Sequence, residues 1–148
     1  MRAVVTRVKK ASVEIGGQTK GQIGTGFLVL LGVHTDDTEA QAEKIADKIC
    51  GLRVFEDENE KMNLSPLDAG AANLLIISQF TLFADCRSRR PGFTCAARPE
   101  TAIPLYELVI RRCRERGFHV ETGEFGADMQ VFSQNDGPVT ILLDTEEL

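Results

Sequence analysis

Asn73-Leu74-Leu75-Ile76-Ile77-Ser78-Gln79-Phe80-Thr81-Leu82 is the stretch on which the fold turns. Leu74 to Ile77 are apolar without alternation, so the strand read over Asn73 to Phe80 has no solvated face. Such a strand is expected at the centre of a sheet. Ser78 and Gln79 then bring polarity back, and the chain enters a turn. A strand end that turns frees backbone N–H groups from the ladder, and free donors are what ester chemistry uses to hold an oxyanion. The plainer reading is a central strand that simply ends in a polar turn.

Working outward, Arg2 to Val8 and Ala11 to Ile15 read as strands, followed by a Gly16-Gly17 hairpin turn. Gly26 to Val33 reads as a longer apolar strand. Gly21, Gly24 and Gly26 are spaced GxxGxG, not in the dinucleotide-binding order, and no helix follows closely. Turns and bulges account for them. Thr38 and Gln41 form a capping box for a first helix carrying Ala42, Ile45, Ala46 and Ile49, stopped at Gly51. Leu52 to Phe55 reads as a strand and Asp57-Glu58-Asn59-Glu60 as a polar turn.

A second helix is expected over Glu100 to Arg116, with Leu105, Leu108, Val109 and Cys113 on one face and Gly117 after it. Pro104 either marks the start of its regular part or kinks its first turn. Phe118 to Thr122, Asp128 to Ser133 and Val139 to Leu143 read as further strands. Many strands with only two helices predict one α+β domain over residues 1–148, a mainly antiparallel, barrel-like sheet with two helices.

The 148 residues suffice for a full core. No stretch approaches the roughly 18 to 20 consecutive apolar residues of a membrane span. The opening Met1-Arg2-Ala3-Val4-Val5-Thr6-Arg7 returns to charge too soon for a secretory signal, so a cytosolic protein is expected. Cys50, Cys86, Cys95 and Cys113 form no Cys-x-x-Cys pair and have no neighbouring histidine. Four free thiols are expected, at least two of them packed in helices, with no metal. The net charge of −5 argues against strong non-specific nucleic-acid binding. Two arginine groups stand out locally: Arg87, Arg89 and Arg90 with Arg98 behind them, and Arg111, Arg112, Arg114 and Arg116. Glu107 and Glu115 make the second group read as a solvated helix face.

An ester hydrolase normally shows a nucleophile beside a base, or a metal-bound water. His34 and His119 sit in no catalytic pattern, so a histidine triad is not expected. Thr81 is either a nucleophile, with Asp85 near in sequence, or a strand-end residue bonding through its hydroxyl. In the backbone reading, Phe80 supplies an apolar wall while Ser78 and Gln79 supply hydrogen-bonding side chains. More than fifty residues further on, Asn135-Asp136-Gly137-Pro138-Val139-Thr140 contains an Asp-Gly step. It reads either as a hairpin turn with Pro138 opening an edge strand, or as a cis peptide before proline.

The segments Ser78-Gln79-Phe80-Thr81-Leu82 and Asn135 to Thr140 resemble the SQFTL and NxGPVT signatures of the D-aminoacyl-tRNA deacylases. The likeness extends over nearly the whole chain. It includes Arg7-Val8, Gly21 to Gly26, Leu28 to Val33, Arg53 to Phe55, Lys61 to Ser65 and Phe125 to Val131. Two places depart from the family pattern. Thr6 stands where glutamine usually precedes the arginine. The segment Asp85 to Phe93 is one residue short and lacks the customary glycine, so RNA contacts are not carried over there.

The resemblance implies a homodimer that hydrolyses the ester of D-aminoacyl-tRNA, and of mischarged glycyl-tRNA, without a cofactor. In it the cis Gly137-Pro138 step enters the partner's active site. Gly137 and Pro138 would present two backbone carbonyls to the substrate and select its chirality, with Arg7 and Met129 in support. Ser78, Gln79 and Phe80 would line the pocket for the aminoacyl-adenosine end. Gln79, Phe80 and Thr81 would be the catalytic segment. Met129 and the full NDGPVT run favour the D-specific branch over related deacylases with a trans Gly-Pro step. Two readings from other classes stand beside this one: a non-catalytic tRNA-binding or dimerisation module, and a hydrolase of small esters with Thr81 as nucleophile.

Overall fold

The computed structural model describes residues 1–148. The chain opens with a 14-residue strand, β1 (Arg2–Ile15), where two shorter strands were predicted. Lys9 and Lys10 are exposed and read as a break, but the backbone keeps pairing through them and the register shifts beside Val8 instead. The shift moves burial from Ala3 and Val5 on one face to Val8, Ala11 and Val13 on the other. Gly16 and Gly17, both at positive φ (58° and 79°), turn the chain into β2 (Gln18–Ile23).

β3 (Gly26–Gly32) pairs with the first half of β1 and β2 with the second half, both antiparallel. The capping box at Thr38 starts α1 (Glu39–Gly51) as predicted. The strand expected over Leu52 to Phe55 shrinks to β4 (Phe55–Glu56), paired with β5 (Met62–Leu64). The preceding residues are drawn away from it: Leu52 is the extended helix cap, and the Arg53 side chain bonds the carbonyl of Asn63.

β6 (Asn73–Ser78) lies inside the sheet with a strand on either side, as its sequence requires. Leu74 and Ile76 join one core cluster and Leu75 and Ile77 the other, so both faces are buried. Fully burying side chains of this size is worth roughly 1.5–3 kcal/mol each. β6 runs parallel to β3 and to β7 (His119–Thr122), so the sheet is mixed. Parallel neighbours need crossovers, and α1 and α2 (Pro99–Glu115) provide them. α2 begins at Pro99, where a missing N–H is harmless, and Pro104 lies inside it rather than at its start.

Both helices cover one face of the sheet, forming a 27-residue core with Ala3, Val5, Phe27, Val29, Leu31 and Ile76. The opposite face curls around Val8, Val13, Ile23, Leu28, Leu75 and Ile77. β2 comes back far enough that a Cβ on Gly21 would lie 3.1 Å from the carbonyl oxygen of Thr122 in β7. The sheet thus nearly closes, as the barrel-like expectation requires. β8 (Gln130–Asp144) runs along the other edge of β1 as one strand where two were predicted. Cys50 and Cys113 are buried in the helices, while Cys86 and Cys95 are exposed. No helix is long and apolar enough to cross a membrane.

Candidate active site

After β6 the chain tightens into a 3-10 turn, Phe80–Phe83, so Phe80 belongs to the turn rather than to the strand. The Gln79 N–H still donates to Leu31 O (2.8 Å), and the first bond of the turn is Leu82 N–H to Gln79 O (3.3 Å). The N–H groups of Phe80 and Thr81 precede that bond and have no acceptor in the turn. Gly32 allows the turn to sit this close, since a Cβ there would lie 2.9 Å from Gln79 O and 3.0 Å from Leu82 Cβ. From behind, Arg2 donates to Leu82 O and to the Asp144 carboxylate (2.9 Å each), and its guanidinium lies 4.6 Å over the Phe83 ring.

Nothing basic reaches the Thr81 hydroxyl. It accepts a hydrogen bond from Gln79 Nε2 at 2.6 Å. Asp85 is engaged by Arg87 instead, which holds its carboxyl below the usual carboxylate range. His34 packs edge-on against Phe83, and its Nδ1 accepts the Asp36 N–H (3.0 Å). His119 pairs with Glu121 (3.3 Å). Nowhere do three His, Cys, Asp or Glu side chains gather as a metal site would need.

Beside the turn opens a cavity of about 270 Å³ with 11 hydrophobic residues among its 14. Ser78, Gln79, Phe80 and Met129 line it, as do Tyr106 and Phe125. The Tyr106 hydroxyl donates to Ile76 O (2.7 Å), and burial pushes its phenol well above the ordinary value. Tyr106 therefore offers the cavity a wall and no base. Gly123 leaves room for the Met129 sulfur, which lies too close to admit a Cβ there. Thr81 is exposed next to the cavity and does not line it. Sequence reading assigned no role to Tyr106 or Phe125. Tyr106 is the chain's one tyrosine, and its burial among apolar residues of α2 was the available signal.

The second signature segment is a bulge, not a hairpin. Thr6 pairs with Thr140 and Val8 with Asn135, so five steps along β8 oppose two along β1. The Asn135 side chain brackets the loop, accepting the Val139 N–H (3.0 Å) and donating to the Thr140 hydroxyl (3.1 Å). Arg7, 6% exposed, holds it from within. Its Nε donates to Asp136 O (3.1 Å) and lies 3.5 Å from the Asp136 carboxylate; its Nη1 donates to Val54 O (2.5 Å). Gly137 has φ +125°, and a Cβ there would lie 3.0 Å from Arg7 Nη2. The Gly137-Pro138 peptide is cis. Neither residue has a ladder partner in β1, and neither lines the cavity of its own chain.

Residues 4–144 match the family model described as D-Tyr-tRNA(Tyr) deacylase. The D-aminoacyl-tRNA deacylase of Thermus aquaticus is 56% identical over 148 residues, covering 99% of this chain and 97% of that one. The protein of that name from Symbiobacterium thermophilum is 57% identical with the same coverage. A solved structure titled c-Myc DNA Unwinding Element Binding Protein superposes with a TM-score of 0.91 at 42% identity, covering 97% and 98% of the two chains. A probable eukaryotic D-amino acid tRNA deacylase shares the fold, with a TM-score of 0.81 at 15% identity. A match this long, with both signature segments in place, means that the chain belongs to the D-Tyr-tRNA(Tyr) deacylase family.

Proposed function

We propose that the protein hydrolyses the ester joining a D-amino acid to the 3′ end of tRNA, the activity its relatives are named for. The observation that carries this reading is the turn at Phe80. Two N–H groups with no acceptor in the turn belong to a segment beside an apolar cavity, and no imidazole or carboxylate is bonded to the Thr81 hydroxyl. Donors already aimed at the developing oxyanion need no reorganisation during reaction. Ser78 and Gln79 bind the terminal nucleotide, and Phe80 walls it.

Chirality is read by main chain. The carbonyls of Gly137 and Pro138 fix the substrate's amino group, and the donors near Phe80 fix its ester. One direction then remains for the side chain. A D-residue sends it to solvent, whereas an L-residue drives it into the Gly-Pro wall. A clash of this kind penalises only the wrong substrate. Glycine, with no side chain, is not excluded, so glycyl-tRNA is also cleaved. Purified protein should hydrolyse D-Tyr-tRNA and leave L-Tyr-tRNA intact; comparable rates on both would sink the chiral reading.

In this reading the wall comes from a second copy of the chain, because the bulge lies away from its own cavity. β8 supports that: it pairs on one edge only and exposes Phe132 (51%) and Leu142 (71%). Light scattering should report twice the 16.3 kDa chain mass at working concentration. A fully active monomer would refute a site shared across subunits. The cytosol, where tRNA is charged, is the expected compartment.

A further inference from the structure

The structure treats the two arginine groups of the sequence differently. On α2, Arg112 is bonded to Glu43 (2.5 Å) and Glu115 (3.0 Å), Arg114 donates to Val120 O (2.9 Å), and Arg116 faces Asp47 (3.6 Å). These three cations are consumed in fastening the helix to its surroundings, and only Arg111 of that group is exposed without a partner. In the loop after the 3-10 turn, Arg87 is bound by Asp85. Arg89, Arg90 and Arg98 are exposed and make no ion pair, although acidic residues outnumber basic ones by 22 to 17.

That loop is built, not slack. Asp85 and Gly92 exchange both backbone bonds at its base (2.7 and 2.9 Å). Inside it, the Ser88 hydroxyl donates to Arg90 O (2.7 Å), and the Asp85 carboxylate accepts the Arg87 N–H (3.1 Å). A shallow cup of about 300 Å³, with no hydrophobic residue in its lining, lies among Asp85, Arg87, Ser88, Arg90 and Gly92, the Asp85 carboxylate being taken up by Arg87. The loop is also joined to the candidate active site, because Phe93 just beyond it packs edge-on against Phe80 with centroids 5.0 Å apart.

We propose that Arg89 and Arg90, with Arg98, grip phosphates of the RNA strand just 5′ of the aminoacylated nucleotide. The proposal rests on the reading that the terminal aminoacyl-adenosine occupies the cavity beside Phe80. The strand leaving that cavity past the Phe80–Phe93 contact meets guanidinium groups that nothing in the protein neutralises. Guanidinium suits the task through its fork of donors, which matches phosphate oxygens in pairs. Net charge repels RNA from most of this surface, so a local cluster sets where the strand runs.

The test compares two substrates and one ligand. They are D-Tyr-tRNA, the 3′-ester of D-tyrosine with adenosine (which has no phosphate), and uncharged tRNA. Arg89→Gln with Arg90→Gln should lower kcat/KM on D-Tyr-tRNA about tenfold or more at low salt, through KM and not kcat. It should flatten the dependence of log affinity for uncharged tRNA on log salt by about 1.4, or about 0.7 per lost single-strand phosphate contact. The loss on the adenosine ester should be several times smaller, and Arg89→Lys with Arg90→Lys should restore the salt slope but only part of the affinity, since lysine keeps the charge and loses the fork. Arg111→Gln, on α2, should change nothing. Equal losses on both esters would mean that the loop only shapes the pocket and would overturn the proposal. So would an unchanged salt slope. If the wild-type protein cleaves neither ester, the proposed hydrolysis fails, and uncharged-tRNA binding still decides the loop: a flattened slope upholds its phosphate contacts, an unaltered one removes them.

Discussion

Arg7→Ala is expected to lose about 3 kcal/mol of stability and about a hundredfold in kcat/KM, while Lys9→Ala loses almost nothing. Arg7 is buried and bonds two backbone carbonyls, Val54 O and Asp136 O, in addition to the Asp136 carboxylate. A hydrogen bond to a charged group is worth about 1.5–3 kcal/mol, and a buried carbonyl left without its donor loses that in full. The Asp136 side chain, 32% exposed, turns to water when Arg7 is gone, so its loss is the smaller part. The catalytic loss comes from geometry: the guanidinium spans the base of the bulge that carries Gly137 and Pro138, and a displacement near 1 Å in a positioned group costs about 10² in rate. Lys9 is exposed and bonds nothing, so its change should stay within about 0.5 kcal/mol. Urea unfolding and steady-state rates on D-Tyr-tRNA measure both quantities. Small and equal effects from the two variants would remove Arg7's supporting role.

The bulge also shows where local sequence stops being informative. Asp136-Gly137 between two apolar-polar runs has the local chemistry of a hairpin, and so two strands were predicted. What keeps the chain paired to β1 on both sides of the step is Arg7, 129 residues away, together with the Asn135 side chain. Neither contact leaves a periodic trace. The merging of the first two predicted strands has the same origin, because a register shift opposite β8 carries the ladder past Lys9 and Lys10. By contrast, the interior position of Asn73–Ser78 was legible, since an unalternating apolar run has only one stable place in a sheet. The parallel sense of its neighbours was not legible, as it follows from the α1 and α2 crossovers. In the site, Ser78, Gln79, Phe80 and Met129 stood out through their motifs. Tyr106 and Phe125 look like core residues because a wall of an apolar cavity and a wall of a core have the same composition.

A tRNA ending in 2′-deoxyadenosine, charged with a D-amino acid on its 3′-hydroxyl, is expected to bind normally and react about 10² to 10³ times more slowly. The reason lies in what the turn lacks. Thr81 Oγ accepts from Gln79 Nε2 and touches no carboxylate or imidazole, so no protein group is placed to take its proton. An unassisted hydroxyl is a weak nucleophile at neutral pH. The N–H groups of Phe80 and Thr81 can hold negative charge as it forms on the ester oxygen, but they cannot activate water. A hydroxyl already adjacent to the ester is brought by the substrate, on the 2′ carbon of the same ribose. There it can orient the attacking water and relay its proton, accepting it while passing its own proton to the departing 3′ oxygen, without any protein side chain. Thr81→Ala should then keep a substantial part of the activity, because the variant retains the backbone donor and loses only a bond to Gln79. A dead Thr81→Ala enzyme together with a well-cleaved 2′-deoxy substrate would reverse the assignment and make Thr81 the nucleophile. A protein that cleaves the 2′-deoxy ester slowly while Thr81→Ala stays active has its chemistry divided between substrate hydroxyl and protein backbone. In that case the side chains of the turn serve binding, and the order of effects among Ser78, Gln79 and Phe80 variants should follow KM rather than kcat.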